Sequence, residues 1–169
     1  MFKSHPKGLL AAALSNMGER FGYYIMNAVL ALFLCSKFGL AEGQAGLIYS
    51  IFYAGIYILS LVGGLIADKT QNYKGTIMTG LAIMASGYVI LSIPVLATPQ
   101  NSSFLLTVTC FALFLIAFGN GLFKGNLQAI VGQMYDNFEA EEAKKGEEAL
   151  RIAKDKRDSG FQIFYVFIN

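Results

Sequence analysis

Four long apolar segments constrain this chain more than any other feature of its sequence. They run from about Gly8 to Cys35, Gly43 to Ala67, Thr76 to Leu96 and Phe104 to Gly132. Each approaches or exceeds the ~20 residues that a helix needs to cross a hydrocarbon core of ~30 Å. An isolated strand would leave its backbone groups unpaired in lipid, and the ten-residue alternation of a membrane barrel is missing from the sequence. The segments therefore predict an all-α membrane protein with the lipid bilayer as its solvent.

The composition agrees with this prediction, since 55% of the residues are apolar and the mean hydropathy is +0.52. The formal net charge of +2, from 13 basic and 11 acidic residues, is too small to indicate a nucleic-acid partner. Cys35 and Cys110 lie in apolar runs without a metal-ligand spacing, so we interpret them as packing residues. The sequence has no histidine cluster, Ser/His/Asp set or phosphate-binding loop, so we expect neither an enzyme nor a metal site.

The segments divide the chain into three parts. Residues 1–135 are predicted to hold transmembrane helices 1 to 4, residues 136–159 a charged cytoplasmic connection, and residues 160–169 the start of a fifth transmembrane helix. The connection is rich in Glu, Lys and Ala at helical spacing, which favours a solvated helix, and a regulatory or partner-binding segment is the alternative. Because the fifth apolar segment is still in progress at Asn169, we expect an N-terminal fragment of a longer protein.

The basic residues of the connections predict the orientation. One predicted side of the membrane carries ten of them and the other carries only Lys37. The ten are Lys3, Lys7, Lys69, Lys74, Lys144, Lys145, Arg151, Lys154, Lys156 and Arg157. Since basic residues concentrate in cytoplasmic loops, the N-terminus and the even-numbered connections are predicted to be cytoplasmic. The first apolar segment is too long for the apolar region of a signal peptide.

The first apolar segment contains two charged residues near its middle, Glu19 and Arg20. Each charge at mid-helix costs about 2.5 to 3.5 kcal/mol on insertion-derived scales. Polar side chains share one face of this helix at the positions Asn16, Arg20, Tyr23, Tyr24 and Asn27. The stripe indicates a water-filled or substrate-accepting cavity, and the alternative is a structural ion pair that holds the helix against its neighbours.

The fourth apolar segment has a matching polar ridge, with Asn120, Lys124 and Gln128 at every fourth position. A lysine inside a span needs a carboxylate or carbonyl partner. Glu19 is the acidic residue that lies well inside a predicted span, so it is one candidate partner of Lys124. Groups outside this chain are the other candidates.

The cytoplasmic end of the second apolar segment combines small and charged residues. Gly63 and Gly64 permit close helix contact, and they precede Asp68, Lys69 and Lys74. Opposite charges at a helix end can hold one conformation and release it in another. These five residues are therefore predicted to form a conformational latch.

Four stretches, in this order, resemble motifs of the proton-dependent oligopeptide transporter family within the major facilitator superfamily. They are Glu19 to Tyr24, Gly63 to Lys74, Phe123 to Asn126 with Gly132 and Tyr135, and Asp158 to Asn169. The resemblance implies that the chain is part of the N-terminal six-helix bundle of that superfamily's fold. Asn16 stands at the first Glu of the family motif, and Gly125 stands where the family usually has Pro.

The resemblance also implies roles for individual residues. Glu19, Arg20 and Lys124 would couple transport to protons, with the proton as the coupling ion and no cofactor. The residues that would bind the substrate are Arg20, Tyr23, Tyr24, Tyr57, Lys124, Asn126 and Asn169. By its spacing alone, Tyr57 either lines a cavity or packs. A zwitterionic peptide does need a cation at its carboxylate, an anion at its amine and aromatic walls.

The predicted function is proton-coupled symport of di- and tripeptides across the cell inner membrane, by rocking of two six-helix bundles around a site at the midplane. The predicted partners are the peptides, the lipid bilayer and the remaining C-terminal helices of the same transporter, with no nucleic acid. The alternative is a non-transporting truncated membrane module or an assembly partner.

Overall fold

The computed structural model describes residues 5–167, and it is all-α, with five helices and no strand over that range. The helices are α1 (Leu9–Phe38), α2 (Glu42–Thr70), α3 (Tyr73–Ser92), α4 (Ser102–Ala143) and α5 (Glu147–Val166). The first four are long and apolar enough to cross a membrane. The predicted all-α membrane fold with four spans is therefore confirmed.

Helix α4 extends well past the end of its apolar segment. The segment was predicted to end at Gly132, whereas the helix continues to Ala143 and has 42 residues. Apolar residues mark the membrane-spanning part of a helix, and the Glu and Ala residues that follow favour continuation of the helix in water. The break comes at Gly146, whose φ of 122° suits a residue without a side chain.

The charged connection is thus helical on both sides of a short break. Helix α5 begins at Glu147 and runs through Arg157 and Gly160 without interruption. Its first turn contains Glu147 and Glu148, which complement the positive end of the helix dipole. The predicted divisions at residues 135 and 159 fall inside α4 and α5, so they stay predictions about the membrane boundary.

A tight joint connects α2 to α3. Gln71 ends α2 in the left-handed conformation, with φ of 52°. Asn72 then caps α3, because its side-chain oxygen accepts a hydrogen bond from the Gly75 backbone N–H at 3.0 Å. An asparagine in this position satisfies one of the amide groups that a helix start leaves unpaired. Gln71 and Asn72 therefore suffice to separate the two helices.

The described chain forms two compact units. One contains residues Ile25–Asn126, and the other combines the residues up to Tyr24 with those from Leu127 onward. In the first unit the helix backbones approach closely: Gly63 of α2 lies against the Gly121 carbonyl of α4, and Gly80 of α3 lies against the Gly119 carbonyl. Such small-residue contacts are typical of helix packing in membranes.

The second unit is built around Tyr135, whose side chain is fully buried. Its hydroxyl oxygen lies 2.7 Å from His5 Nδ1, and its ring contacts Gly160 of α5. Arg157 of α5 donates hydrogen bonds to Asp136 at 2.7 Å and to Glu139 at 3.3 Å, both on α4. The charged end of α4 is therefore fastened to α5 by an aromatic core and an ion-pair cluster.

Candidate functional site

The two charges inside α1 pair with each other. Arg20 Nε donates to Glu19 Oε2 at 2.6 Å and Arg20 Nη2 donates to Glu19 Oε1 at 2.8 Å. Only 1% of the Glu19 side chain and 11% of the Arg20 side chain are exposed. A fork-shaped pair of this kind compensates both charges and holds the guanidinium in one orientation. Protonation of Glu19 would remove that partner from Arg20.

The pair continues into an aromatic stripe on the same helix. The Arg20 guanidinium lies 4.6 Å from the centre of the Tyr23 ring, which is the geometry of a cation–π contact. Tyr23 is buried and packs edge-on against Tyr24, with ring centres 5.7 Å apart. Tyr24 is 54% exposed. The stripe therefore connects a buried carboxylate to an exposed aromatic ring.

In the unit formed by Ile25–Asn126, two further predicted site residues meet. The Lys124 ammonium of α4 lies 4.7 Å from the centre of the Tyr57 ring of α2. Tyr57 is 50% exposed and Lys124 is half-buried. The two interpretations of Tyr57, lining a cavity and packing, both stay predictions. A cation beside an open aromatic ring can bind an anion and a flat group together.

Asn126 lies in a different environment from the other predicted substrate residues. Its side chain is 2% exposed, and its amide nitrogen donates to the Gly63 carbonyl at 3.0 Å and to the Leu122 carbonyl at 2.8 Å. In this conformation it joins α4 to α2 and does not line an open surface. Asn169, also predicted to bind the substrate, lies outside the residues that the structure describes.

Asp68 of the predicted conformational latch pairs with a residue that was not part of the prediction. The Asp68 carboxylate accepts a hydrogen bond from the Tyr73 hydroxyl at 2.7 Å. Within residues 5–167, no ion pair joins Asp68 to Lys69 or Lys74, and all three side chains are exposed. The latch through these lysines stays a prediction. Tyr73 was missed because a tyrosine at a helix start looks like an ordinary interfacial residue.

Two tyrosines near Tyr57 were also missed. Tyr49 and Tyr53 precede it at helical spacing on α2, and the ring of Tyr53 contacts both neighbours. The spacing of four residues is the signal that could have found them. In the described part of the chain, no group of three or more His, Cys, Asp or Glu residues could hold a metal ion.

Comparison with known proteins gives consistent matches. The model of the POT family, PTR2, matches residues 74–169, which is more than half of the chain. The di-/tripeptide transporter of Lactococcus lactis subsp. cremoris is 34% identical over 175 residues, covering 99% of this chain and 30% of the relative. Dipeptide and tripeptide permease B of Yersinia enterocolitica is 30% identical over 165 residues, covering 97% of this chain and 29% of the relative.

Two solved structures match the fold. A crystal structure of tetrameric PepTSo2 has a TM-score of 0.74 and 29% identity, over 95% of this chain and 29% of that one. A peptide transporter POT mutant in complex with sulfate has a TM-score of 0.74 and 34% identity, over 99% of this chain and 30% of that one.

The matched proteins constrain the class of this chain. The two relatives and the peptide transporter POT are named as transporters or a permease and none as an enzyme, which agrees with the expectation from the sequence. The chain spans about 30% of the length of the curated relatives it matches. With four helices fit to span a bilayer, it is a multi-pass membrane protein. The match to more than half of the residues establishes that this chain belongs to the POT family.

Proposed function

We propose that the chain is the N-terminal part of a proton-coupled symporter of di- and tripeptides, of the major facilitator type, in the cell inner membrane. The observation that carries the proposal is the buried Glu19–Arg20 pair on a membrane-spanning helix. Relatives named as peptide transporters support the substrate class. Because the chain spans about 30% of their length, transport would require the remaining C-terminal helices.

The pair suggests how a proton controls substrate binding. In the deprotonated state Glu19 holds both donor groups of the Arg20 fork. A proton that binds to a Glu19 oxygen neutralises the carboxylate, and the guanidinium becomes available to an acceptor group of a peptide. When the peptide leaves, the proton dissociates from Glu19 and the pair forms again. One proton would therefore enter each time Arg20 binds and releases a peptide.

Lys124 supplies a second cation for an anionic group of the substrate. Its contact with Tyr57 and the exposure of that ring suit a site that accepts a charged backbone beside a flat wall. A zwitterionic peptide presents those groups whatever its side chains are. This explains how one site can accept many short peptides.

The proposed orientation has the N-terminus in the cytoplasm. Six basic residues lie between the end of α4 at Ala143 and Arg157 of α5, and they favour the cytoplasmic side for this part of the chain. They are Lys144, Lys145, Arg151, Lys154, Lys156 and Arg157. A cysteine introduced at the exposed Lys145 should react only with reagents that cross the membrane. If an impermeant reagent labelled this cysteine in intact cells, the proposed orientation would be wrong and the opposite one would follow.

The test of the function uses the complete protein in liposomes with an imposed pH gradient. Glu19→Gln should abolish gradient-driven accumulation of a dipeptide while exchange of labelled for unlabelled dipeptide continues, because the neutral side chain mimics the protonated state. Glu42→Gln is the matched control, since Glu42 is exposed in the first turn of α2. Accumulation by Glu19→Gln at the control's level would refute the proton role.

A second outcome would favour the alternative function. If the complete protein shows neither gradient-driven accumulation nor exchange of peptide, the non-transporting membrane module becomes the better proposal. Its assembly with other membrane proteins could then be tested by cross-linking in native membranes.

A further inference from the structure

Three tyrosines on α2 form a continuous aromatic surface. The rings of Tyr49 and Tyr53 are stacked, with centres 6.1 Å apart and planes inclined by 20°. The Tyr53 and Tyr57 rings have centres 5.4 Å apart, and their hydroxyl oxygens are 3.4 Å apart. Positions i, i+4 and i+8 of a helix span about 12 Å along its axis. We call this surface the tyrosine ladder.

A charge lies at one end of the ladder. The Lys124 ammonium contacts the Tyr57 ring, at the end of the ladder nearer to the C-terminus of α2. A cation is costly in the hydrocarbon region of a bilayer, and tyrosine hydroxyls prefer partners or water to lipid. We therefore expect the face of α2 that carries the ladder to contact water and not lipid.

The other side of α2 has the opposite chemistry. Ile51 and Ile58 lie more than a third of a turn away from Tyr53 around the helix, and they are 64% and 62% exposed. Both belong to an apolar groove between α2 and α4. Such a surface suits lipid or another apolar helix. One helix thus presents two exposed faces, of which only the ladder combines aromatic rings, hydroxyls and a cation.

We propose that Tyr53 and Tyr49 form a subsite for the aromatic side chain of a peptide substrate, and that Tyr53 determines the preference for such side chains. The proposal rests on the proposed peptide transport. Lys124 holds the peptide carboxylate at the Tyr57 end, and the peptide extends along the ladder. At about 3.3 Å per residue of extended chain, the length of the ladder suits a di- or tripeptide. An aromatic side chain then stacks on Tyr53.

The test measures uptake of alanyl-alanine and phenylalanyl-alanine, whose ring is on the residue remote from the carboxylate, by the complete protein in liposomes. The wild type should prefer the aromatic peptide in kcat/KM by about five- to tenfold, the range expected for one aromatic contact. Tyr53→Ala should remove most of that preference, because it should lower kcat/KM for the aromatic peptide several-fold more than kcat/KM for alanyl-alanine. Tyr53→Phe keeps the ring and should keep the preference, and Tyr49→Ala should reduce it less than Tyr53→Ala.

The matched control is Ile51→Ala, which shortens an exposed side chain at nearly the same depth on the apolar face. It should leave the ratio of the two kcat/KM values unchanged. If Tyr53→Ala folds poorly by size-exclusion chromatography, Tyr53→Leu retains the bulk without the aromatic face and serves the same comparison.

The outcomes separate this inference from the function on which it rests. A wild type without preference for the aromatic peptide, or a Tyr53→Ala variant that keeps the wild-type ratio, would overturn the subsite while alanyl-alanine uptake still supports transport. If Tyr53→Ala and Tyr53→Leu lowered kcat/KM equally for both peptides, Tyr53 would be a general structural residue, and the subsite would also be overturned. Failure of the wild type to take up either peptide would remove the proposed function and the subsite together.

Discussion

Two helix contacts in this protein depend on glycine. In one the glycine lies against the backbone of the neighbouring helix, and in the other it lies against a side chain. At the contact of α2 with α4, Gly63 brings backbone against backbone: a Cβ there would lie 2.9 Å from the Leu122 Cα and closer still to the Gly121 carbonyl. At the contact of α4 with α5, Gly160 instead makes room for a side chain. A Cβ at Gly160 would lie 3.0 Å from a ring carbon of Tyr135 and closer still to its hydroxyl.

The difference lies in what can move. Backbone atoms of two packed helices cannot shift without changing the separation of the helices, whereas a tyrosine ring can turn or tilt at a smaller cost. The α2–α4 contact also contains a buried hydrogen bond from Asn126, and the α4–α5 contact contains a titratable partner, His5. We therefore expect the first contact to be rigid and the second to be adjustable. Four substitutions test this comparison.

Gly63→Ala should have the largest effect. The added methyl group overlaps backbone atoms of α4, so the free energy of unfolding should fall by about 3 kcal/mol or more. Titration of the purified protein with a denaturing detergent measures this loss. The adjacent Gly64→Ala is the control, because a Cβ at Gly64 meets nothing within 4 Å. Equal stability of the two variants would show that the α2–α4 contact is as adjustable as the other.

Gly160→Ala should have a smaller effect, about 1 to 3 kcal/mol, since Tyr135 can move away from the new methyl group. Adding Tyr135→Phe removes the hydroxyl that overlaps most with the Cβ, so the double variant should recover part of the loss that Gly160→Ala causes. Gly132→Ala is the control, because a Cβ there also meets nothing within 4 Å. A Gly160→Ala loss as large as that of Gly63→Ala would remove the proposed distinction.

The sequence predicted the membrane helices well because their apolar composition depends on the bilayer alone. It predicted the end of α4 less well, since the loss of apolar residues after Gly132 marks the membrane boundary and not the end of the helix. Glu19 and Arg20 were identified by their cost in lipid. Their mutual pairing was one interpretation among several, because spacing does not show which way a side chain turns.

Contacts between helices were beyond prediction in most cases. The register of α2 against α4 brings Lys124 to Tyr57 and Asn126 to the Gly63 carbonyl, and no periodicity within one helix reveals that register. Asn126 was predicted to bind substrate from the family resemblance, and the structure places its amide in the helix contact. The same limit applies to Tyr135 and Gly160, which are 25 residues apart in sequence.

Asn126→Ala sharpens the comparison at the rigid contact. It removes the hydrogen bond to Gly63 and leaves that buried carbonyl without this donor, which should cost about 1 to 2 kcal/mol of the free energy of unfolding. Asn126→Asp keeps the size of the side chain but removes the donors, so it should be at least as destabilising. Detergent unfolding measures both variants. Normal stability of Asn126→Ala together with lost peptide binding would instead support the predicted role of Asn126 in the substrate site.

His5 provides the smallest test, at the adjustable contact. Burial, and then the positive charge of Lys156, lower the pKa of His5 below its usual value. Its folded pKa lies below the unfolded value of about 6.5, so its contribution to stability is complete above that pH and is lost as pH falls through the lowered pKa. From pH 7.5 to pH 5.5 the Tm of the wild type should therefore decrease slightly more than the Tm of His5→Gln. The two decreases should differ by less than about 2 °C.

The comparison with His5→Gln isolates this histidine, because every other titrating group is present in both proteins. Glutamine can still form a hydrogen bond with Tyr135, so the Tm values of the two proteins should lie closest at pH 7.5 and diverge in acid. A His5→Gln variant that loses more Tm than the wild type at pH 5.5 would mean that the protonated ring stabilises the contact. His5 would then strengthen the α4–α5 contact in acid, and the adjustable contact would respond to pH in the opposite sense.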